Sequence, residues 1–587
     1  MRPGPTAWVD FVAPGEDALP VRGVFGPPLA VHRARSTGEV AGVLDAAERA
    51  ARAGRWCVGF VAYEAAPAFD PAFEVRAPED GLLAWFAEYG QIGPWPAEVS
   101  VHERTYAPMS WSTGLGRADF DAAIARIHRA IADGEVYQVN YTAPWHSTFE
   151  GDPVALFHAL RRAQPGSYSV CVDTGETQVL SVSPELFFDW RGGRLLSRPM
   201  KGTAPRGRTP EEDALRAQAL RDSEKERAEN LMIVDLIRND LSRVAEPHTV
   251  RVPRLFHTQA WPTVWQMTSD VVGRTPSATR LRDVFAALFP CGSVTGAPKV
   301  RAMHWIRHLE TAPRGVYCGA VGVLQPGGAA TFNVAIRTVE LSGGRARCGI
   351  GSGITGDAAA AAEYDEWRVK RGFLERAAQP FQLLETMRVE GGRVVRWHAH
   401  LARLIRAARH FGYPCDAGRV ERQVGEAAER LGAGRLRLLL DAEGRISLEP
   451  GPLPVAPARP LVCLARQPIQ AQCEFVRHKT TRRQHYERLA VEAPGLFDTL
   501  LWNEAGELTE FTRGNVAVRL AGRWITPALA CGLLDGVLRQ ELVGQGRLEE
   551  GVVRVQDLQR CEGLAFFNSL RGWIEVRLSD PGAAGRG

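Results

Sequence analysis

Lysine is scarce in this sequence: of 71 lysines and arginines only five are lysine, Lys201, Lys225, Lys299, Lys370 and Lys479. Wherever a positive charge alone is needed, the chain has arginine. A remaining lysine is therefore a candidate for chemistry that a guanidinium does not do, because an ammonium can lose its proton and become a nucleophile. Lys201 stands in SRPMKGTAPRG and Lys479 in EFVRHKTTRRQHY, both among arginines. A second pattern is carboxylates at helical spacing. Glu226, Glu229, Ile233 and Asp240 recur at i, i+3, i+7 and i+14, and Glu363, Glu366 and Lys370 repeat the arrangement, so each set falls on one helix face. An isolated E-x-x-E usually marks a salt-bridged surface helix. Carboxylates on a face that also carries core residues need a partner, since an unpaired buried charge is expensive.

The elements that must position these residues are legible as periodicities. Residues 118–133 place Phe120, Ile124, Ile127 and Ile131 at helical spacing and stop at Gly134. The run VYQVNYT then alternates like a strand. Helical patterns over 223–244 and 357–376 carry the two carboxylate sets, after which AAQP ends the pattern and FQLLETMRVEGGRVV reads as strand, Gly-Gly turn and strand. A domain boundary is expected at about 377–380, giving domains 1–376 and 381–587, with 1–110 the less diagnostic part of the first. Hydrophobic content of 45% and charged content of 24% describe a soluble globular chain. The formal charge of +4 is spread rather than blocked, which speaks against nucleic-acid binding. The opening MRPGPTAWVDFVAPGEDALP lacks a basic-then-apolar leader and no window approaches 18 apolar residues, so no membrane association and a cytoplasmic location are expected. Ten cysteines without a C-x-x-C pair indicate neither a disulfide framework nor a structural zinc site.

Six runs in order, RWCVGFVAYEAAPAFD at 55–70, DGEVYQVNYT at 133–142, SVSPELF at 181–187, PCGSVTGAPK at 290–299, NVAIRT at 333–338 and GIGSGI at 349–354, resemble the chorismate-utilising enzymes, the family of anthranilate, isochorismate and aminodeoxychorismate synthases. The resemblance covers about 1–375 and implies a large α/β sandwich. It implies Mg²⁺ held by Glu229 and Glu366, with Glu226 and Glu363 orienting ligands or waters. It further implies chorismate bound through Arg337, Lys370, Tyr317, Thr203, Gly292, Ser293, Thr295, Gly351 and Gly353. Mg²⁺ with one or two protein carboxylates and a dianionic substrate is reasonable chemistry. In the P-x-x-G-T element, relatives that aminate C2 carry a small residue where this chain has Lys201, and lysine there is similar to the aminodeoxychorismate branch. That implies Lys201 as a nucleophile at C2 of the ring and Glu185 as the acid protonating the departing C4 hydroxyl. Gln266 stands where several relatives carry histidine, and its role is left open. No cysteine has the G-x-C-x-G-x-Q surroundings of a glutaminase, so ammonia is expected from a separate glutamine amidotransferase subunit.

A further set, HAHLARL at 398–404, LTEFTRGNVAV at 508–518, GLLDGVLRQEL at 532–542 and FFNSLRG at 566–572, resembles fold type IV pyridoxal phosphate enzymes over about 381–587. The resemblance implies a two-subdomain fold, Lys479 as the cofactor's attachment point and proton carrier, and Glu510 on the pyridine nitrogen. Arg403, Gly536, Val537, Leu538 and Ser569 would hold the phosphate, an anion at a helix N-terminus. Thr386 and Arg388 would line the site without assigned roles. GVLR and NSLRG are similar to the lyases rather than the transaminases of the family. The two resemblances together imply a two-step enzyme making p-aminobenzoate, a homodimer through its second half being possible. The competing expectation is an anthranilate- or isochorismate-type synthase joined to a branched-chain or D-amino acid aminotransferase.

Overall fold

The computed structural model describes residues 6–15, 18–78, 81–96, 105–206, 210–260, 264–455, 460–471 and 473–579. The chain forms two compact units, Met1–Pro380 and Phe381–Gly587.

In the first unit, alternating strands build two antiparallel sheets. One has eight strands, in the spatial order Gly296–Ala297, Gln138–Thr148, Arg345–Ile354, Thr338–Ser342, Gln178–Ser183, Tyr168–Asp173, Ala7–Phe11 and Val21–Phe25. The other is ten-stranded and has Met200–Pro205 at one end, paired to Val264–Arg274. Val9, Phe11, Val170 and Val172 of the first sheet meet Val58, Phe60, Trp85, Leu196 and Val321 of the second in one fully buried cluster. Strands buried on both faces need cover outside, and helices supply it. Thr37–Arg52, Glu224–Ser242 and Leu281–Leu288 cover the larger sheet with residues such as Leu44, Ile233, Ile237 and Phe285. Arg117–Ala132, Pro153–Ala163 and Ala360–Ala377 cover the smaller with Phe120, Ile124, Phe157, Trp367 and Phe373. The result is an α/β sandwich. Of the two carboxylate-bearing helices, Glu224–Ser242 is capped by Ser223, which accepts from the Glu226 N–H, whereas Ala360–Ala377 starts at Ala359 with no side-chain cap.

The second unit has two subdomains. A four-stranded sheet around Leu383–Glu390 and Gly434–Leu440 packs on the helices Trp397–Phe411 and Ala417–Leu431. An eight-stranded sheet, which includes Leu508–Phe511, Asn515–Leu520 and Gly563–Asn568, carries the short helix Val537–Gly544. Among the described residues no helix is long and apolar enough to cross a membrane.

Candidate functional site

Lys201 lies on the end strand Met200–Pro205, and its ammonium reaches the strand Arg345–Ile354. A Cβ built on Gly353 would stand 2.7 Å from Lys201 Nζ and collide with Nε2 of Gln138. Glycine is needed there because the lysine head and the Gln138 amide fill the space a side chain would take. Gly202, at φ +88°, likewise yields its side-chain space to Glu226, whose Oε2 lies 2.8 Å from the Cβ position. Gln266 fixes this strand: its Nε2 donates to Gly202 O at 2.7 Å, and Thr203 Oγ1 donates to its Oε1 at 3.3 Å. Thr203 itself is exposed.

Glu185 is buried ahead of the strand Leu186–Arg191, with Oε1 lacking a hydrogen-bond partner. Burial pushes its carboxyl up to about 7, against a hydrogen bond from Ser293 and the charges of Lys201 and Lys370. It is therefore substantially protonated near neutrality. Ser293 sits in the turn Gly292–Val294, which a buried arginine holds from behind. Arg314 donates to Val294 O and Asn140 O, both at 2.7 Å, and to both oxygens of Glu310. Thr295 is fully buried and spends its hydroxyl on Cys291 O and Gly292 O, at 3.1 and 3.3 Å. Tyr317 is buried with its ring packed over Gly349, on the same strand as Gly351 and Gly353.

The two carboxylate sets face each other. Glu226 is raised by burial and then by the charges of Glu229 and Glu366; Glu363 is raised by burial, with Glu366 and Glu229 adding. Three of the five lysines stand among them: Lys370 Nζ is 2.7 Å from Glu366 and 3.0 Å from Gly351 O, Lys225 is 4.0 Å from Glu229, and Lys201 acts on both Glu226 and Glu366. Glu363 is held by Ser352 Oγ at 2.5 Å. Burial opposes charge on Glu366, but Lys370 and Lys201 hold it below the usual carboxylate range, while Glu226 and Glu363 feel the charges of Glu229 and Glu366. Four carboxylates gathered from two helices fit a hard divalent cation, which takes oxygen ligands. Asp240 is not part of this group. It is buried and pairs with Lys299 at 2.7 Å, so its shared helix face does not bring it to the cluster, and Lys299 is a structural lysine. Arg337, at φ +50°, lies over Phe373 with the guanidinium of Arg376 nearby, and burial lowers it to about 10.

In the second unit the half-buried Lys479 and the buried Glu510 act on each other's charge. Burial lowers Lys479 to about 8, helped by Arg403 and Arg483, and burial raises Glu510 to about 8. Glu510 Oε1 accepts from Tyr486 Oη at 2.7 Å and from the Leu534 N–H at 3.2 Å. Arg403 grips Glu385 with Nε and Nη2, at 2.8 and 2.7 Å, while His400 bridges Glu385 and Ser569, at 2.7 and 2.9 Å. Burial opposes charge on Glu385, but Arg403 and His400 hold it at about 2. Gly536 caps the helix Val537–Gly544, and a Cβ there would collide with Asn515 Oδ1. The first N–H groups of that helix, Val537 and Leu538 among them, have no intrahelical acceptor. A lysine able to shed its proton, a protonated buried carboxyl, and a helix N-terminus beside Arg403 and Ser569 fit pyridoxal phosphate. Thr386 and Arg388 share the strand Leu383–Glu390, and Arg388 pairs with Glu390 at 2.6 Å.

Sequence reasoning missed Gln138, Glu385, His400 and Tyr486. Gln138 lay inside the quoted run DGEVYQVNYT, but only the structure shows a fully buried amide with neither atom partnered beside Lys201. Glu385 and His400 lay inside LLETMR and HAHLARL, and nothing in their spacing ties one to the other.

Residues 30–376, more than half of the chain, match the family of chorismate binding enzymes. The chain belongs to that family. Residues 382–578 match class IV amino-transferases, so a chorismate-binding domain is followed by a fold type IV aminotransferase-like one. Aminodeoxychorismate synthase component 1 of Klebsiella aerogenes is 43% identical over 284 residues, 48% of this chain and 61% of that protein. Aminodeoxychorismate synthase of Streptomyces griseus is 44% identical over 257 residues, 44% of this chain and 35% of its own length. The chain thus spans less than two thirds of the length of these curated relatives. The crystal structure of anthranilate synthase component I from Streptococcus pneumoniae shares the fold of this chorismate-binding enzyme, with a TM-score of 0.51 at 24% identity, over 64% of this chain and 91% of that one.

Proposed function

We propose that the chain makes p-aminobenzoate in two steps, amination of chorismate at C4 followed by removal of pyruvate. The observation that carries the first step is Lys201 Nζ at the Gly353 gap beside the protonated, partner-poor carboxyl of Glu185. Lys201 forms a bond to C2 of the ring, the double bonds shift, and the C4–O bond breaks as Glu185 gives its proton to the leaving hydroxyl. Ammonia then bonds to C4, the electrons shift back, and the C2–N bond to Lys201 breaks. Arg337, Lys370 and the backbone around Gly292, Ser293, Thr295, Gly351 and Gly353 hold the carboxylates, with Thr203 and Tyr317 at the margins. Glu229 and Glu366 would hold Mg²⁺, with Glu226 and Glu363 behind them, and the ion would supply charge for a substrate carboxylate.

In the second unit pyridoxal phosphate would supply an electron sink. Lys479 would hold the cofactor and serve as base for the C4 proton; lowered to about 8, it has a larger share of free amine near neutral pH than an ordinary lysine. Loss of the enolpyruvyl group then aromatises the ring. Glu510, whose carboxyl burial raises to about 8, would keep the pyridine nitrogen protonated, and Arg403, Ser569 and the N-terminus at Gly536, Val537 and Leu538 would hold the phosphate. Ammonia would come from a separate glutamine amidotransferase subunit, and the second unit would pair as a homodimer. Ten free cysteines support a reducing, cytoplasmic setting.

The test is product identification with chorismate, ammonia and Mg²⁺, with and without pyridoxal phosphate. The reading expects aminodeoxychorismate without the cofactor and p-aminobenzoate with it. Anthranilate or salicylate as the product rules it out.

A further inference from the structure

Away from both sites, the helix Lys299–Leu309 carries His304 and His308 one turn apart. Its opposite face is locked, with Ala302, Met303, Ile306 and Leu309 buried. Facing the two histidines is Glu74, whose chain neighbours Phe73 and Val75 are anchored in the core of the larger sheet. One ligand atom from each of Glu74, His304 and His308 lies within 4.8 Å of the other two, the single such group of three among the described residues.

The hydrogen bonds prepare these side chains for a ligand. His308 Nδ1 is 2.8 Å from its neighbour's carbonyl, His304 O, a contact only an Nδ1–H can make. The proton therefore sits on Nδ1 and the Nε2 lone pair is left open. His304 Nδ1 is 2.9 Å from Glu74 Oε1, so this ring nitrogen and carboxylate oxygen stand side by side, near the separation of two atoms bound to one zinc ion. The two rings stand 4.3 Å apart, so both can address one ion. Arg307 also approaches Glu74, at 3.5 Å through the other oxygen, which leaves Oε1 on the histidine side. An ordinary surface ion pair between Glu74 and His304 would contribute little and would give no reason for the placement of His308.

We propose that Glu74, His304 and His308 bind a divalent transition-metal ion of the zinc class. Two imidazoles and a carboxylate make three of zinc's four positions, and water completes the set. Imidazole ligands select against Mg²⁺, so the site is chemically distinct from the carboxylate cluster. The bound ion ties the segment around Glu74 to the helix that directly follows the turn carrying Ser293 and Thr295.

The experiment is calorimetric titration of Zn²⁺ into the full chain with Mg²⁺ and pyridoxal phosphate saturating, so that those sites are filled. One equivalent is expected in the parent protein. His304→Ala and His308→Ala, both on an exposed helix face, should each abolish this binding, and Glu74→Gln, which removes the one anionic ligand, should weaken it. Co²⁺ in place of Zn²⁺ should give a spectrum without thiolate charge transfer, which separates this site from the cysteines. If the His304→Ala/His308→Ala double variant takes up as much Zn²⁺ as the parent, with the same affinity, the site does not exist. If Glu74→Gln alone is without effect, the three-ligand set is wrong.

Discussion

A carboxyl group works as an acid at neutral pH only if its surroundings hold the proton, and burial does this for Glu185 at about 7. The acid form is present below that value and lost above it. At saturating Mg²⁺, kcat/KM for chorismate amination should therefore fall as pH rises through about 7, and Glu185→Gln should lower it by roughly 10²–10⁴-fold and remove that limb. Lys201→Ala should abolish amination with the fold intact; an undiminished rate of aminodeoxychorismate formation would exclude the nucleophile. Gln138 gives a contrast between stability and activity. Its amide is fully buried with no partner for either atom, which in a folded core is a cost. Gln138→Leu should leave the protein as stable or more stable by about 1 kcal/mol in denaturant titration, since no hydrogen bond is lost. Amination should nevertheless drop, because that amide is placed for something other than the fold. A variant equally active and more stable would make Gln138 a packing residue.

At the scale of elements, the turn Gly292–Val294 is tied down by Arg314, whose one guanidinium donates to Val294 O and Asn140 O, and the anion cradle proposed there would depend on it. Arg314→Met keeps the bulk but strands Glu310, which is buried and accepts from Arg314 and Thr142. Removing one partner of such a pair costs about 3–5 kcal/mol. The expected result is that loss in denaturant titration, together with a raised KM for chorismate while the second unit still carries its cofactor. The helices and strands around this turn were legible in the sequence because their periodicities are strong: the pattern over 223–244 is the helix Glu224–Ser242, and 118–133 is Arg117–Ala132. Side-chain partnership was not legible. Asp240 shares a helix face with Glu226 and Glu229 yet, about three turns beyond Glu229, pairs with Lys299 of another helix, because face is a local property and partnership is decided by packing between elements. The rarity of lysine singled out Lys201 and Lys479, but it could not separate them from Lys299, whose ammonium closes a buried ion pair. Arg314 gave no signal at all, being one arginine among many.

For the molecule as a whole, two sites on one chain matter only if the first makes what the second consumes. The larger unit carries a lysine beside an acid and a carboxylate cluster; the smaller carries a lysine and a carboxyl both brought to about 8 by burial. Each unit has its own core and none of the side chains assigned to one site comes from the other unit. Single substitutions in the intact chain should therefore cut the sequence of reactions at one point and leave the remainder working. With chorismate, ammonia, Mg²⁺ and pyridoxal phosphate, Lys479→Ala should accumulate aminodeoxychorismate and release no p-aminobenzoate. Lys201→Ala should form neither from chorismate, yet convert aminodeoxychorismate supplied from outside at the parent's rate. Mixing the two variants decides how the units are coupled. If p-aminobenzoate then forms with a lag that shortens as protein concentration rises, the intermediate travels through solution between chains. If Lys479→Ala alone still yields p-aminobenzoate, the elimination does not depend on the second unit's lysine, and the two-step reading fails at its second step.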